Sequence, residues 1–189
     1  FNHFKAKFFF LKNIFFQSMP ITVAIFGYSI AATIVFTYVG LFGEYAVAGY
    51  GSATRIEQVL LLPVLGINTA IISIIAQNIG AKYYDRVEQS YNTSIKYGFF
   101  IMLIAGVIIF VCADIVPKFF SSNKDVVIHG SIYLKISAFI LPSYPIFFLS
   151  NGFFMALKKS ENAMISNFFR NVLNPIAVFY IAKYINASF

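Results

Sequence analysis

The stretch AIISIIAQNIGAKYYDRVEQ, residues 70–89, changes character halfway along. Its first half is oily enough for a bilayer; Gln77 and Asn78 then appear, Gly80 ends the run, and Lys82, Asp85, Arg86 and Glu88 follow at once. An apolar helix that meets two amides, a glycine and a mixed-charge segment is leaving a hydrocarbon layer for water. Reading back from Lys82, the next charge is Glu57, with 24 uncharged residues between them. That length crosses a core of about 30 Å at about 1.5 Å per residue.

The pattern recurs on both sides. Lys12 and Glu44 bracket 31 uncharged residues, Lys135 and Lys158 bracket 22, and Lys96 and Asp114 bracket 17, the last sufficient if Asp114 sits at the interface. A further segment, residues 162–184, carries Arg170 and spans only where that charge meets a partner, a hydrated cavity or headgroups. Composition agrees, with 59% hydrophobic and 11% charged residues where a soluble domain has about 25% charged. No segment alternates apolar and polar residues as a membrane barrel strand does, and within hydrocarbon the remaining way to satisfy every backbone amide is a helix. The expected fold is an all-α polytopic membrane protein with five helices near residues 14–40, 52–79, 95–116, 128–157 and 162–184.

Charge sets the expected orientation. With the amino end cytoplasmic, Lys5, Lys7, Lys12, Lys82, Arg86, Lys96, Lys158 and Lys159 face the cytoplasm, while Lys118, Lys124 and Lys183 lie opposite, the bias that membrane insertion favours. The net charge of +7 is spread over several loops and points to anionic lipid as partner, not to nucleic acid. A plasma membrane is the expected location. Residues 1–13 read as a basic interfacial connector, with Phe in the acyl boundary and Lys among headgroups. The single Cys112, with His3 and His129 far apart, offers no metal-ligand pattern.

The apolar segments carry breaks and polar rows. Pro63 and Pro175 fall inside helices, and LPSYP places Pro142 and Pro145 so as to free the carbonyls of Ala138 and Leu141, an arrangement that either kinks a helix or lines a midplane site. Ser18, Thr22, Ser29, Thr33 and Thr37 share one helical face, as do Thr69, Ser73 and Gln77. Such rows serve helix contacts or a wet cavity. Asn167, Arg170, Asn171 and Asn174 form another row, expected at a cavity or buried network because a guanidinium at membrane depth costs on the order of 3 kcal/mol.

Residues 43–87 also resemble the multidrug and toxic compound extrusion (MATE) transporter family. The resemblance is carried by AVAGYG at 46–51, RIE with Arg55 and Glu57, Pro63, QNIGA with Gln77, Asn78 and Gly80, then Asp85 and Arg86. Pro20 in SMP, and Arg170 followed by Pro175, extend it over nearly the whole chain. It implies twelve helices in two lobes of six, with residues 14–189 as an incomplete second lobe, helices seven to eleven, whose partner is the missing amino-terminal lobe of the same chain. Gln77, Asn78 and Gly80 then form a structural corner, with Gly80 in a left-handed cap position.

The resemblance further implies secondary active efflux of small organic cations and amphipathic drugs by alternating access, in exchange for Na+ or H+, with no cofactor. Tyr28, Thr33, Asn68, Tyr144, Asn151, Arg170 and Asn171 are the expected substrate-cavity residues. For ion coupling, Tyr28 stands where some members carry a Glu, which leaves Glu57 and Asp114, both expected close to helix ends, or an acidic residue of the other lobe. A lipid-linked sugar flippase of the same superfamily would want a strongly basic cavity, for which Arg170 and Lys135 are available. A membrane-embedded enzyme would need paired carboxylates, a His cluster or a nucleophile with its base at one depth, and the apolar segments supply none. A non-transporting membrane protein is left as the remaining alternative.

Overall fold

The computed structural model describes the backbone of residues 8–187, and the side chains of 15–16, 18–176 and 178–180 within it. Six α-helices follow in order: α1 Phe8–Gly40, α2 Glu44–Gly80, α3 Tyr84–Cys112, α4 Lys124–Ile140, α5 Tyr144–Ala156 and α6 Ser160–Ala187. Short 3₁₀ turns at Val116–Phe119 and Leu141–Ser143 lead into α4 and α5. Four stretches are long and apolar enough to cross a membrane: Ser18–Gly40, Glu44–Gly80, Tyr84–Cys112 and Lys124–Ala156, the last running through α4 and α5. The fifth expected span, α6, is helical over 28 residues but lies outside that set. Glu161, Arg170 and a series of asparagines lower its hydropathy.

The helices exceed the expected segments at their amino ends. α2 starts at Glu44 and α3 at Tyr84, not at 52 and 95, because hydropathy measures the oily part of a helix and not its polar turns. Pro20, read as part of the opening of the first helix, lies inside α1, whose backbone already runs from Phe8. The connector reading of residues 1–13 falls partly on residues 1–7, outside the described residues.

The carboxyl end of α2 corrects the expected role of Gly80, which is simply the last helical residue. The left-handed position is Lys82, at φ 62°. The Lys82 amide donates to the Ile79 carbonyl and the Tyr83 amide to that of Asn78, the paired closure of a Schellman cap. α5 ends the same way, with Lys158 at φ 58° and the Lys159 amide donating to the Phe154 carbonyl. At both ends a lysine takes the place usual for glycine, where its charge complements the negative end of the helix dipole.

α2 is the hub, packing against α3, α4 and α5, while α1 pairs mainly with α6. One apolar cluster joins Ala53, Ile56 and Val64 of α2 to Met102 and Ile109 of α3 and to Leu134, Ala138 and Leu141. A second, further along α2, joins Ile71 and Ile75 to Val87, Leu149 and Ala156. Small residues allow the closest approaches, as in other membrane bundles. A Cβ on Gly49 would lie 2.8 Å from the Val126 carbonyl oxygen and 2.9 Å from the Gly130 amide nitrogen of α4.

The LPSYP break has a specific resolution. Pro142 withholds the amide that the Ala138 carbonyl would accept, and Gly106 of α3 lies directly on that carbonyl, so close that a Cβ there would clash with its oxygen at 2.6 Å. The Leu141 carbonyl is not left free as expected, because the tight turn brings the Tyr144 amide onto it. Pro145 itself is buried near the start of α5. The outer surface is broadly apolar, with Phe119, Phe139 and Val111 among many exposed large side chains, as suits contact with lipid.

Candidate functional site

A cavity of about 460 Å³ opens where the α1–α6 pair meets the α2–α5 bundle. α1 contributes Tyr28, Ala31 and Val35; α2 contributes Tyr50, Thr54, Glu57, Gln58 and Leu61. Tyr133 of α4 and Tyr144, Phe147 and Asn151 of α5 form the facing wall, and α6 closes it with Asn167, Arg170, Asn171 and Asn174. The wall is thus largely aromatic and aliphatic, with amides on one side and a few charged or hydroxyl groups, the usual make-up of an organic-solute site.

Glu57 is the cavity's carboxylate. It is 7% exposed and lies well within α2, not at a helix end, because α2 starts at Glu44. The Tyr133 hydroxyl donates to its Oε2 at 2.6 Å and the Tyr144 hydroxyl donates to Oε1. Tyr50 packs edge-on against Tyr133 with ring centres 5.1 Å apart, and Phe36 packs against Tyr50 in the same way at 4.9 Å. One face of α2 presents Tyr50, Thr54, Glu57 and Leu61 at helical spacing, and Tyr133 of α4 and Tyr144 at the start of α5 reach Glu57 from either side of the LPSYP break. Two hydroxyl donors on one carboxyl group fix its position, each hydrogen bond contributing about 1 kcal/mol or more.

Arg170 is the cavity's cation. Its guanidinium carbon lies 4.5 Å from the Phe147 ring centre and 5.8 Å from that of Tyr28, the geometry of a cation held against aromatic faces. Beside it the Asn171 amide nitrogen donates to the Ala24 carbonyl of α1 at 3.3 Å, tying α6 to α1, and that of Asn167 donates back to Ala163 at 2.7 Å. Among the described residues that line the cavity, Glu57 and Arg170 are the only charged groups.

The structure brings Tyr28, Tyr144, Asn151, Arg170, Asn171 and Glu57 together around this space. Thr33 lies elsewhere, exposed on α1 with its hydroxyl donated to the Ser29 carbonyl. Thr22, Ser29 and Thr37 likewise donate to carbonyls of their own helix, so these hydroxyls are satisfied within α1 and stand apart from the cavity lining. Asn68 is half-buried against Gly152 at the α2–α5 contact, its buried Oδ1 without a hydrogen-bond partner among the described residues. Gln77 bonds Ser73 and Asn78 bonds the Ile74 carbonyl, both exposed at the end of α2.

Arg55 lines a shallower cleft with Phe36, Gln58 and Phe120, and Arg86 lies over the Tyr83 ring at 5.0 Å, with Asp85 beside it in the first turn of α3. Asp114 lies past the end of α3, where Lys135 Nζ donates to both carboxylate oxygens at 2.8 Å and Ser131 donates to one. These bonds, that of Lys135 first, hold its carboxyl below the usual carboxylate range. Tyr50, Gln58, Tyr133 and Phe147 line the cavity although they were not among the expected site residues, while Asn167 and Asn174 line it as members of the Asn/Arg row expected at a cavity or buried network. Among the described residues no three His, Cys, Asp or Glu side chains converge on a metal position.

Comparison with known proteins fits this arrangement. The chain is 28% identical over 150 residues to a probable multidrug resistance protein, YpnP, of Bacillus subtilis, covering 79% of this chain and 32% of that one. It is 25% identical over 141 residues to the FAD transporter of Shewanella oneidensis, covering 75% of this chain and 31% of that protein. Its fold superposes with TM-score 0.82 and 21% identity on an outward-facing multidrug resistance MATE transporter of the MOP superfamily, covering 98% of this chain and 48% of that structure. The chain therefore spans about a third of the length of these curated relatives and about half of the solved transporter. The MatE family model matches residues 20–180, the whole of α2 to α5 with most of α1 and α6, and the chain belongs to the MatE family.

Proposed function

We propose that this chain forms one lobe of an efflux antiporter in which Glu57 binds the coupling ion. Its partners are then membrane lipid, the amino-terminal lobe of the same protein, and small organic cations or amphipathic drugs. The observation that carries the reading is a buried carboxylate in an aromatic-lined cavity, with each oxygen accepting a tyrosine hydroxyl. An ionised group so held attracts either a lipophilic cation, which the ring faces also favour, or Na+ or H+. Competition between them at one carboxylate couples their movements, because whichever binds one conformation more tightly shifts the balance between the two. No cofactor is needed, since the ion gradient supplies the free energy. The relatives named for multidrug resistance support the drug class over a lipid-linked sugar, and so does a cavity whose one guanidinium is matched by one carboxylate.

The basic residues near the α1 start, the α2–α3 turn and the α5–α6 turn support an amino end on the cytoplasmic side of the plasma membrane. Cells making the intact protein should accumulate less of a fluorescent cationic dye than cells lacking it, and collapse of the ion gradient should abolish the difference. The Glu57→Gln variant, equally abundant in the membrane, should behave like the deletion. Full efflux by Glu57→Gln would refute the coupling role, and dye levels indifferent to deletion and overexpression would refute efflux.

A further inference from the structure

Lysines on the side opposite the cytoplasm run against the bias of membrane insertion, yet two of them meet in one place. Lys118, on the 3₁₀ turn Val116–Phe119, and Lys124, the first residue of α4, line a cleft of about 470 Å³ with Ser121 and Ser122, floored by Val127 and Ile128. Both lysines are exposed, and among the described residues neither makes an ion pair. Of the acids that flank them in sequence, Asp114 already holds Lys135 and Ser131, and Asp125 does not line the cleft. The intervening segment is fixed by its own bonds. Pro117 is buried against α4, its Cβ 3.3 Å from the place a Gly130 Cβ would take, and its carbonyl accepts the Phe120 and Ser121 amides. Ser121 Oγ accepts the Asn123 amide at 3.2 Å, and Asn123 Oδ1 accepts that of Asp125 at 2.9 Å. Lys124 opens the apolar stretch Lys124–Ala156, which sets the cleft at the level where hydrocarbon gives way to headgroups. From its floor Ile128, Ile132, Ile136 and Phe139 continue along one face of α4, each 52–76% exposed.

We infer that this cleft binds an anionic phospholipid of the phosphatidylglycerol kind, with the phosphodiester on Lys118 and Lys124, the headgroup hydroxyls on Ser121 and Ser122, and an acyl chain along the ridge of residues 128–139. Charge chooses among lipids. A phosphodiester with no cationic end satisfies two ammonium groups, whereas choline or ethanolamine brings a third cation to them. Depth chooses lipid over a free phosphate, because the ridge continues from the cleft into the acyl layer and a tethered anion is held where a soluble one has to be concentrated. The site shares no residue with the Glu57 cavity and does not depend on the antiporter reading. The proposed orientation serves only to place it in the leaflet opposite the cytoplasm.

Photolabelling of the intact protein in phosphatidylcholine nanodiscs tests the site. A trace of phosphatidylglycerol or of phosphatidylcholine, each with the same diazirine acyl chain, is activated, and the labelled peptides are identified by mass spectrometry. The phosphatidylglycerol probe should label residues 128–139 about tenfold more than the phosphatidylcholine probe. Lys118→Gln/Lys124→Gln should lower that labelling to the phosphatidylcholine level, the loss expected for two lysines at a membrane surface, and should leave labelling near Lys82 and Lys158 unchanged. Lys118→Arg/Lys124→Arg should keep most of it. Equal labelling of the ridge by the two probes in the wild type would overturn the inference, and that comparison carries the test if neither variant folds. Labelling that survives Lys118→Gln/Lys124→Gln, or that falls equally at Lys82 and Lys158, would also overturn it. So would displacement of the probe by excess soluble glycerol phosphate, which would make the cleft a site for free phosphate. Dye efflux is unaffected by any of these results, so the site and the antiporter fail separately.

Discussion

A carboxylate surrounded by tyrosines in a membrane is chemically poised in a way that a carboxylate in water is not. The hydroxyls of Tyr133 and Tyr144 are both committed to the Glu57 carboxylate oxygens. Removing either donor leaves a buried acceptor short of a bond worth about 1 kcal/mol or more. Tyr144→Phe should therefore slow ion-driven dye exchange by about tenfold, and Tyr133→Phe comparably, with membrane abundance unchanged. Wild-type exchange by the double variant Tyr133→Phe/Tyr144→Phe would show that these bonds do not serve the reaction.

Asp114 contrasts with Glu57, being exposed past the end of α3 and paired with Lys135 of α4. Its lowered pKa means that the pair's stabilisation is fully present above the ordinary carboxylate value. It is lost as pH falls through the depressed one, below about pH 4. Asp114→Asn should lower the thermal midpoint slightly at neutral pH, and the gap should close in acid; a gap that widens on acidification contradicts the assignment. Glu57 was legible as an acid of the RIE motif. Its depth was not, because the glycine, alanine and tyrosine of residues 45–51 read as a connection between helices when they are the first turns of α2.

Among the elements, α2 and the α4–α5 break decide the shape. The break was legible in LPSYP, since proline removes the amide that would continue the ladder. What covers the freed carbonyl was not, because Gly106 reads as an unremarked glycine in an apolar run until α3 is placed against α4. Gly106→Val should force α3 from the Ala138 carbonyl and destabilise the protein by about 1–3 kcal/mol, with a lower thermal midpoint in detergent. Gly66→Ala is the control: nothing lies within 4 Å of the position a Cβ would take. Helix propensity there favours alanine by about 1 kcal/mol, so this variant should match or exceed the wild type. Equal effects from the two substitutions would mean that the α3–α4 contact is not close packed. The carboxyl caps show the same limit of local reading. Gly80 was the obvious left-handed residue, yet the closing bonds place Lys82 there, and only the backbone path of the turn distinguishes them.

At the scale of the molecule, the α1–α6 pair and the α2–α5 bundle are two packing units, and the cavity is the space where they meet. Five apolar segments were readable one at a time, but their partners were not, since hydropathy says which helices are in the membrane and nothing about which faces touch. The Asn/Arg row of α6 was the exception. A run of polar side chains on one face of a helix among apolar neighbours has to face something wet, and it faces the cavity.

In the proposed antiporter, ion and drug meet at Glu57. The measurement that reaches it most directly is the number of ions displaced when a cationic dye binds the intact purified protein, obtained by calorimetry in buffers of different ionisation enthalpy and at several sodium concentrations. The wild type should release H+ or Na+ on binding and Glu57→Gln should release neither while still folding. Identical ion release from both proteins would contradict the claim.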